Sequence, residues 1–264
     1  MEWWAAYLAV GAVAGFIAGL LGVGGGLIFV PSLIFLFHSQ NFPEVNLLHL
    51  ALGTSLASIT FTSVSSFRAH HAHRAVNWKI VRRMTPGIVV GTLLGSGLAA
   101  LLSSSTLALL FVVFVFIAAT QILIEIKPKP SRQMPGSFGT FLIGIVIGIT
   151  FSLVGGGGAL LSVPFMLFCN IKTHDAIGTS SAIGFPIAVS GAAGYIFAGL
   201  TQDGLPPLSL GFVYLPALLW LVLAGVLTAP FGAKLAHRLP VDRLRRIFAV
   251  FLYIVAAKML VGLF

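Results

Sequence analysis

Two glycine clusters hold most of the chemistry this sequence offers: Gly22-Val23-Gly24-Gly25-Gly26 and Gly155-Gly156-Gly157-Gly158. They introduce short apolar segments, 24–37 and 157–169. A helix that starts after Gly25–Gly26, or after Gly157–Gly158, exposes unpaired N–H groups and the positive end of its dipole. Glycine also lets the backbone itself approach a ligand closely. Two such ends make a cradle for an anion without a buried cation, each contributing about 0.3–1 kcal/mol at a surface and more in a dry site. Tight helix packing at a kink is the competing reading, and duplication at matched positions favours the cradle.

Hydroxyls come next. Gly53-Thr54-Ser55 and Gly178-Thr179-Ser180 place Thr54, Ser55, Thr179 and Ser180 in otherwise apolar stretches. A hydroxyl donates to an oxyanion without the cost of burying a charge. It equally bonds the carbonyl one turn back, or ties two helices together. His49 and His174 stand one turn before these tripeptides, where a histidine gates, carries a proton or simply sits at the interface. Asp175 belongs with them, or serves as a first-turn acid on a helix dipole. His70, His71 and His73 resemble a metal tract, but no Cys or carboxylate accompanies them and Arg68 and Arg74 flank them. A solvated basic loop is the reading they support, with no metal. Lys258 reads as a side chain reaching for the outer interface, and Gln121 and Glu125 form no pattern.

Enzyme signatures are missing. Neither glycine cluster is followed by Lys-Ser or Lys-Thr, so no P-loop is present, and there is no Gly-x-Gly-x-x-Gly and no His-Glu-x-x-His. Cys169 is the single cysteine, which excludes a disulfide scaffold. No cofactor is expected.

The elements that position these residues must be membrane helices. Of 264 residues, 58% are hydrophobic and 8% charged, against about 45–50% and about 25% in soluble domains. The net charge of +9 does not mark a nucleic-acid binder, because phosphate contacts need a continuous basic face. Instead Lys and Arg cluster at 68–83, 127–132 and 234–246, with Lys172 between, as the positive-inside rule expects of cytoplasmic loops. Met1-Glu2-Trp3-Trp4 reads as an interfacial belt opening a retained first helix rather than as a signal peptide.

Apolar segments fall at 3–23, 24–37, 50–67, 84–102 and 107–126, then at 138–153, 157–169, 176–199, 212–229 and 247–263. Segments 24–37 and 157–169 are short for about 30 Å of hydrocarbon at roughly 1.5 Å per residue. Their breaks must be buried in protein or line a cavity, whether the segments span or re-enter.

The two halves match. Leu21–Gly26 with Val30-Pro31 corresponds to Val154–Gly158 with Val163-Pro164, and Gly11, Gly15 and Gly19 correspond to Gly144, Gly148 and Ser152. His49–Ser55 and His174–Ser180 share five identities in seven residues. Basic loop 68–83 has the nearly uncharged counterpart 201–210, while uncharged 103–106 has the basic counterpart 232–246. Matched loops therefore lie on opposite sides of the membrane. The expectation is an all-α polytopic membrane protein of two inverted-topology repeats, 1–126 and 138–264, joined by a basic cytoplasmic linker at 127–137. Both termini then lie outside, with 14 of the 15 Lys and Arg inside. Such repeats with paired broken helices are common in secondary transporters, whose site lies at the repeat interface.

The segments Gly15–Pro31 and Gly148–Pro164, the Gly-Thr-Ser tripeptides and the basic stretch before the last helix resemble the sulfite exporter TauE/SafE family. The resemblance covers nearly the whole chain. It implies a prokaryotic-type plasma membrane permease moving a sulfur-containing anion such as sulfite, a sulfonate or thiosulfate, usually outward. His38 and the histidines at 70–73 are not motif residues of that resemblance. The expected site is Gly22, Gly24, Gly25, Gly26, Thr54, Ser55, Gly155, Gly156, Gly157, Gly158, Thr179 and Ser180, with His49, His174 and Asp175 for gating or proton coupling. Expected partners are the anion, membrane lipid and protons or sodium as coupling ion. An anion channel, or a carrier of a small carboxylate, is the alternative.

Overall fold

The computed structural model describes residues 3–21, 25–124, 133–236 and 242–261. Gly22 and Gly24, and the linker's Lys127–Arg132, lie outside the described residues. In order come α1 (Trp4–Leu21), α2 (Gly26–Ser39), α3 (Glu44–Ala72), α4 (Trp78–Leu101), α5 (Ser104–Ile124), α6 (Ser137–Val154), α7 (Ala159–Phe168) and α8 (Thr173–Gly199). A hairpin of β1 (Ser209–Leu210) and β2 (Val213–Tyr214) follows, then α9 (Leu215–Ala236) and α10 (Asp242–Val261).

Among the described residues, six helices are long and apolar enough to cross a membrane: α3, α4, α5, α6, α8 and α9. The chain is an all-α polytopic membrane protein. α2 and α7, with 14 and 10 residues, are the two short apolar helices that follow the glycine clusters.

α3 and α8 pack against each other at the centre. The apolar window of α3 is 83% buried and that of α8 61%, against 33–44% in the other four long helices, whose outer faces are left for lipid. Around this pair α1 packs along α9, α6 along α4, and α5 against α10. Small residues allow these close approaches: Gly11, Gly15 and Gly19 face the α9 backbone, and Gly144 and Gly148 face that of α4.

Prolines inside helices free carbonyls, which lipid cannot satisfy. Pro164 cannot bond the Leu160 carbonyl four residues back, and Gln121 of α5 donates to that oxygen at 3.2 Å. Pro230 likewise frees the Val226 carbonyl, to which Ser65 of α3 donates at 2.9 Å.

Three expectations are corrected. The basic stretch 68–83 is mostly helical, since α3 runs to Ala72 and α4 starts at Trp78, leaving a connection of only 73–77. Segment 212–229 does not begin as helix: Gly211, at φ 53°, turns the hairpin, and Phe212 N donates to the Tyr195 carbonyl at 3.2 Å. His70 is not in a solvated loop but 1% exposed near the end of α3, its Nε2 3.2 Å from the Gly19 carbonyl.

Candidate functional site

The two glycine breaks meet in the middle of the bundle. Gly25 caps α2 with φ 76° and Gly158 caps α7 with φ 87°, and neither cap has a side-chain hydrogen bond. Both backbones sit in the left-handed region that glycine tolerates. Gly26, the first residue of α2, lies against Gly155 and Gly156 of the other break, so closely that a β-carbon there would overlap the Gly155 carbonyl oxygen.

The predicted hydroxyls hold this centre together. Ser55 Oγ donates to the Gly155 carbonyl at 2.9 Å, satisfying a main-chain oxygen that the end of α6 leaves open. Thr54 Oγ1 accepts the Tyr214 N–H, and Thr179 Oγ1 the Asn77 N–H, both at 2.9 Å. Ser162 Oγ donates to Ser180 Oγ at 2.8 Å, fastening α7 to α8.

The histidines separate. His49 is buried, its Nε2 3.0 Å from the Ala99 carbonyl and its ring stacked 5.0 Å from Phe212. Its place is inside α3 rather than at the helix start. His174 is exposed in the first turn of α8, beside the half-buried Asp175.

Next to the meeting point lies a small crevice between α3 and α8, with room for about one water molecule. It is lined by Ala18, Thr62, Ser63, Ser66, Gly157, Ser181 and Gly184. Its interior admits little more than one water-sized sphere, so an oxyanion requires it to widen. Ser66 Oγ and Ser181 Oγ lie 2.8 Å apart within it. Of the predicted residues that are among the described ones, only Gly157 lines this cavity. The signal for the others was present in α3: Ser55, Ser58, Thr62 and Ser66 recur at steps of three, four and four, a hydroxyl stripe along one face of an apolar helix. Ser181 is one residue beyond the expected tripeptide, and Thr62 and Ser66 belong to no duplicated motif.

Residues 7–259 match the family model described as Sulfite exporter TauE/SafE. The chain belongs to this family. A probable membrane transporter protein of Haemophilus influenzae is 36% identical over 253 residues, 96% of each chain. The probable membrane transporter protein YdhB of Bacillus subtilis is 28% identical over 234 residues, covering 86% of this chain and 87% of its own. One from Methanocaldococcus jannaschii is 24% identical over 259 residues, 95% of this chain and 93% of that one. No solved structure matches the chain. The TauE/SafE membership and these relatives make the chain a membrane transporter.

Proposed function

We propose that the chain is a secondary active transporter that moves a small sulfur-containing anion, such as sulfite, a sulfonate or thiosulfate, outward across the plasma membrane. The observation that carries this is the meeting of the two uncapped glycine breaks, Gly26 against Gly155–Gly156, beside a cavity lined by hydroxyls. Main-chain N–H groups at helix starts and neutral O–H groups are donors, which an oxyanion needs and a cation does not. The basic residues at 68–83 and 234–246 gather anions at one side.

The mechanism is alternating access by two inverted repeats, 1–126 and 138–264, linked through 127–137, with both termini outside. Its support is reciprocal: α1 pairs with α9 as α6 pairs with α4, and Thr54 and Thr179 accept matched N–H groups. His70 bonds the Gly19 carbonyl as Tyr195 OH, at 3.0 Å, bonds that of Ser152. Proton coupling is assigned to His49, the buried member of the histidine pair, with His174 and Asp175 at the gate.

The test is flux from proteoliposomes containing the purified chain. Sulfite or a sulfonate should leave loaded vesicles at rates typical of a carrier, and a small carboxylate should not compete. Conductive currents far above carrier turnover would mean a channel, and carboxylate flux alone would replace the cargo.

A further inference from the structure

We propose that unlike gates close the two ends of the α3–α8 pair. Toward the α3–α4 connection the gate is a hydroxyl pair, Ser66 with Ser181, and toward the 209–214 hairpin it is an apolar plug, Leu56 on Gly191. The inference rests on the proposed alternating access by two inverted repeats.

α3 and α8 match in register through Thr54 and Thr179, and α1 and α6 through Gly15 and Gly148. In that register His70 corresponds to Tyr195 and Gly19 to Ser152. Their contacts correspond too: His70 Nε2 lies 3.2 Å from the Gly19 carbonyl, and Tyr195 OH donates to the Ser152 carbonyl at 3.0 Å. Both carbonyls fall in the last turn of a helix that precedes a glycine break, where the helix itself supplies no partner. Each half thus ties its central helix to the end of its broken one.

One turn further in, the halves differ. Ser66 corresponds to Gly191, and Ser181 to Leu56. Ser66 Oγ and Ser181 Oγ lie 2.8 Å apart. The corresponding two also meet, with Leu56 filling the space beside Gly191 so closely that a β-carbon there would lie 2.8 Å from its Cδ1. These crossed contacts show α3 and α8 running antiparallel, with the two gates about 15 Å apart along α3. Around them the contrast repeats. Ala18, Thr62 and Gly184 line the crevice, whereas their counterparts Phe151, Ile187 and Ile59 are fully buried side chains.

Opening the two gates exposes different surfaces. Serines that part exchange their mutual hydrogen bond for bonds to entering water, at small net cost. A leucine that leaves a packed site exposes apolar surface and leaves a void behind it. The hydroxyl gate is therefore the one that hydrates readily, and the plug keeps the hairpin end dry.

The experiment uses the full chain in right-side-out and inside-out membrane vesicles, with Cys169 replaced by alanine and a membrane-impermeant methanethiosulfonate reagent. K79C, exposed in the first turn of α4, and D203C, exposed ahead of the hairpin, report the two faces. S63C reports the crevice. It should react from the Lys79 face, and about tenfold or more slowly from the Asp203 face. L56A should raise the Asp203-face rate by about tenfold and leave the Lys79-face rate unchanged. S66G/S181L, which builds the plug at the hydroxyl gate, should lower the Lys79-face rate by about tenfold, a readout independent of whether L56A folds. Reaction of S63C from neither face or equally from both, or an unchanged Lys79-face rate in S66G/S181L, overturns the unlike gates and leaves the inverted repeats standing. K79C and D203C labelled from the same face overturns the inverted repeats, and the gates with them.

Discussion

Thr54 and Thr179 perform the same task in opposite halves of the chain. Each hydroxyl accepts, at 2.9 Å, the N–H of a residue just before a long helix of the other half: Tyr214 ahead of α9, and Asn77 ahead of α4. Next to each threonine a glycine, Gly53 or Gly178, packs on the chain that carries that N–H, at Phe212 and Ala75. The duplicated Gly-Thr-Ser is therefore a docking motif: glycine makes room, and threonine satisfies the backbone that comes close.

Removing either threonine hydroxyl leaves a half-buried N–H unpaired. T54A and T179A should each lower stability by about 0.6–2 kcal/mol, with T54S and T179S recovering most of it. Thermal unfolding in detergent checks this. Full stability with lost transport in the alanine variants would instead make these hydroxyls ligands.

The glycine caps differ in what they tolerate. Alanine at Gly25 or Gly158 must adopt φ 76° or 87°, at a cost of about 1–2 kcal/mol each. G26A forces a β-carbon into the Gly155 carbonyl, which is backbone and has nowhere to go. G25A should purify as a folded protein with a lower melting temperature, while G26A should fail to give a monodisperse peak by size-exclusion chromatography.

Gln121 supplies the N–H that Pro164 lacks. Q121L should destabilise by roughly 1–2 kcal/mol, as expected for an orphaned buried carbonyl. The double variant Q121L/P164A should recover part of that loss, because alanine restores the bond within α7. Equal unfolding midpoints for wild type and Q121L would contradict this.

His49 is buried and bonded where His174 is exposed, so the two should not act alike. H49Q retains a side-chain N–H for the Ala99 carbonyl and should preserve the fold. Uptake in that variant should no longer respond to an imposed pH gradient, whereas H174Q should. An undiminished response in H49Q would release His49 from proton coupling.

Much of the architecture was legible because glycine and proline act locally. The starts of α2 and α7, one residue after Gly25 and Gly158, lie within a residue of where the clusters put them, and the apolar runs located the helices, save that 212–229 opens with β2. What tertiary contact decides was not legible. The hairpin at 209–214 has strands of two residues, too short for any periodicity, and its Tyr214 N–H is held by a hydroxyl 160 residues away. His70 looked like part of a basic loop because its neighbours are basic, yet it bonds a carbonyl on α1. The cavity's Thr62 and Ser66 were visible as a helical stripe, but their partner Ser181 depends on how α3 meets α8.

The most direct test of the transported class is ligand-induced stabilisation of the purified protein, since binding to the folded state raises the melting temperature by mass action. Wild type should be stabilised by sulfite and methanesulfonate and not by acetate, and S66A/S181A should lose that shift. Stabilisation by acetate alone, or an equal shift in S66A/S181A, would contradict a sulfur-oxyanion site at these two serines.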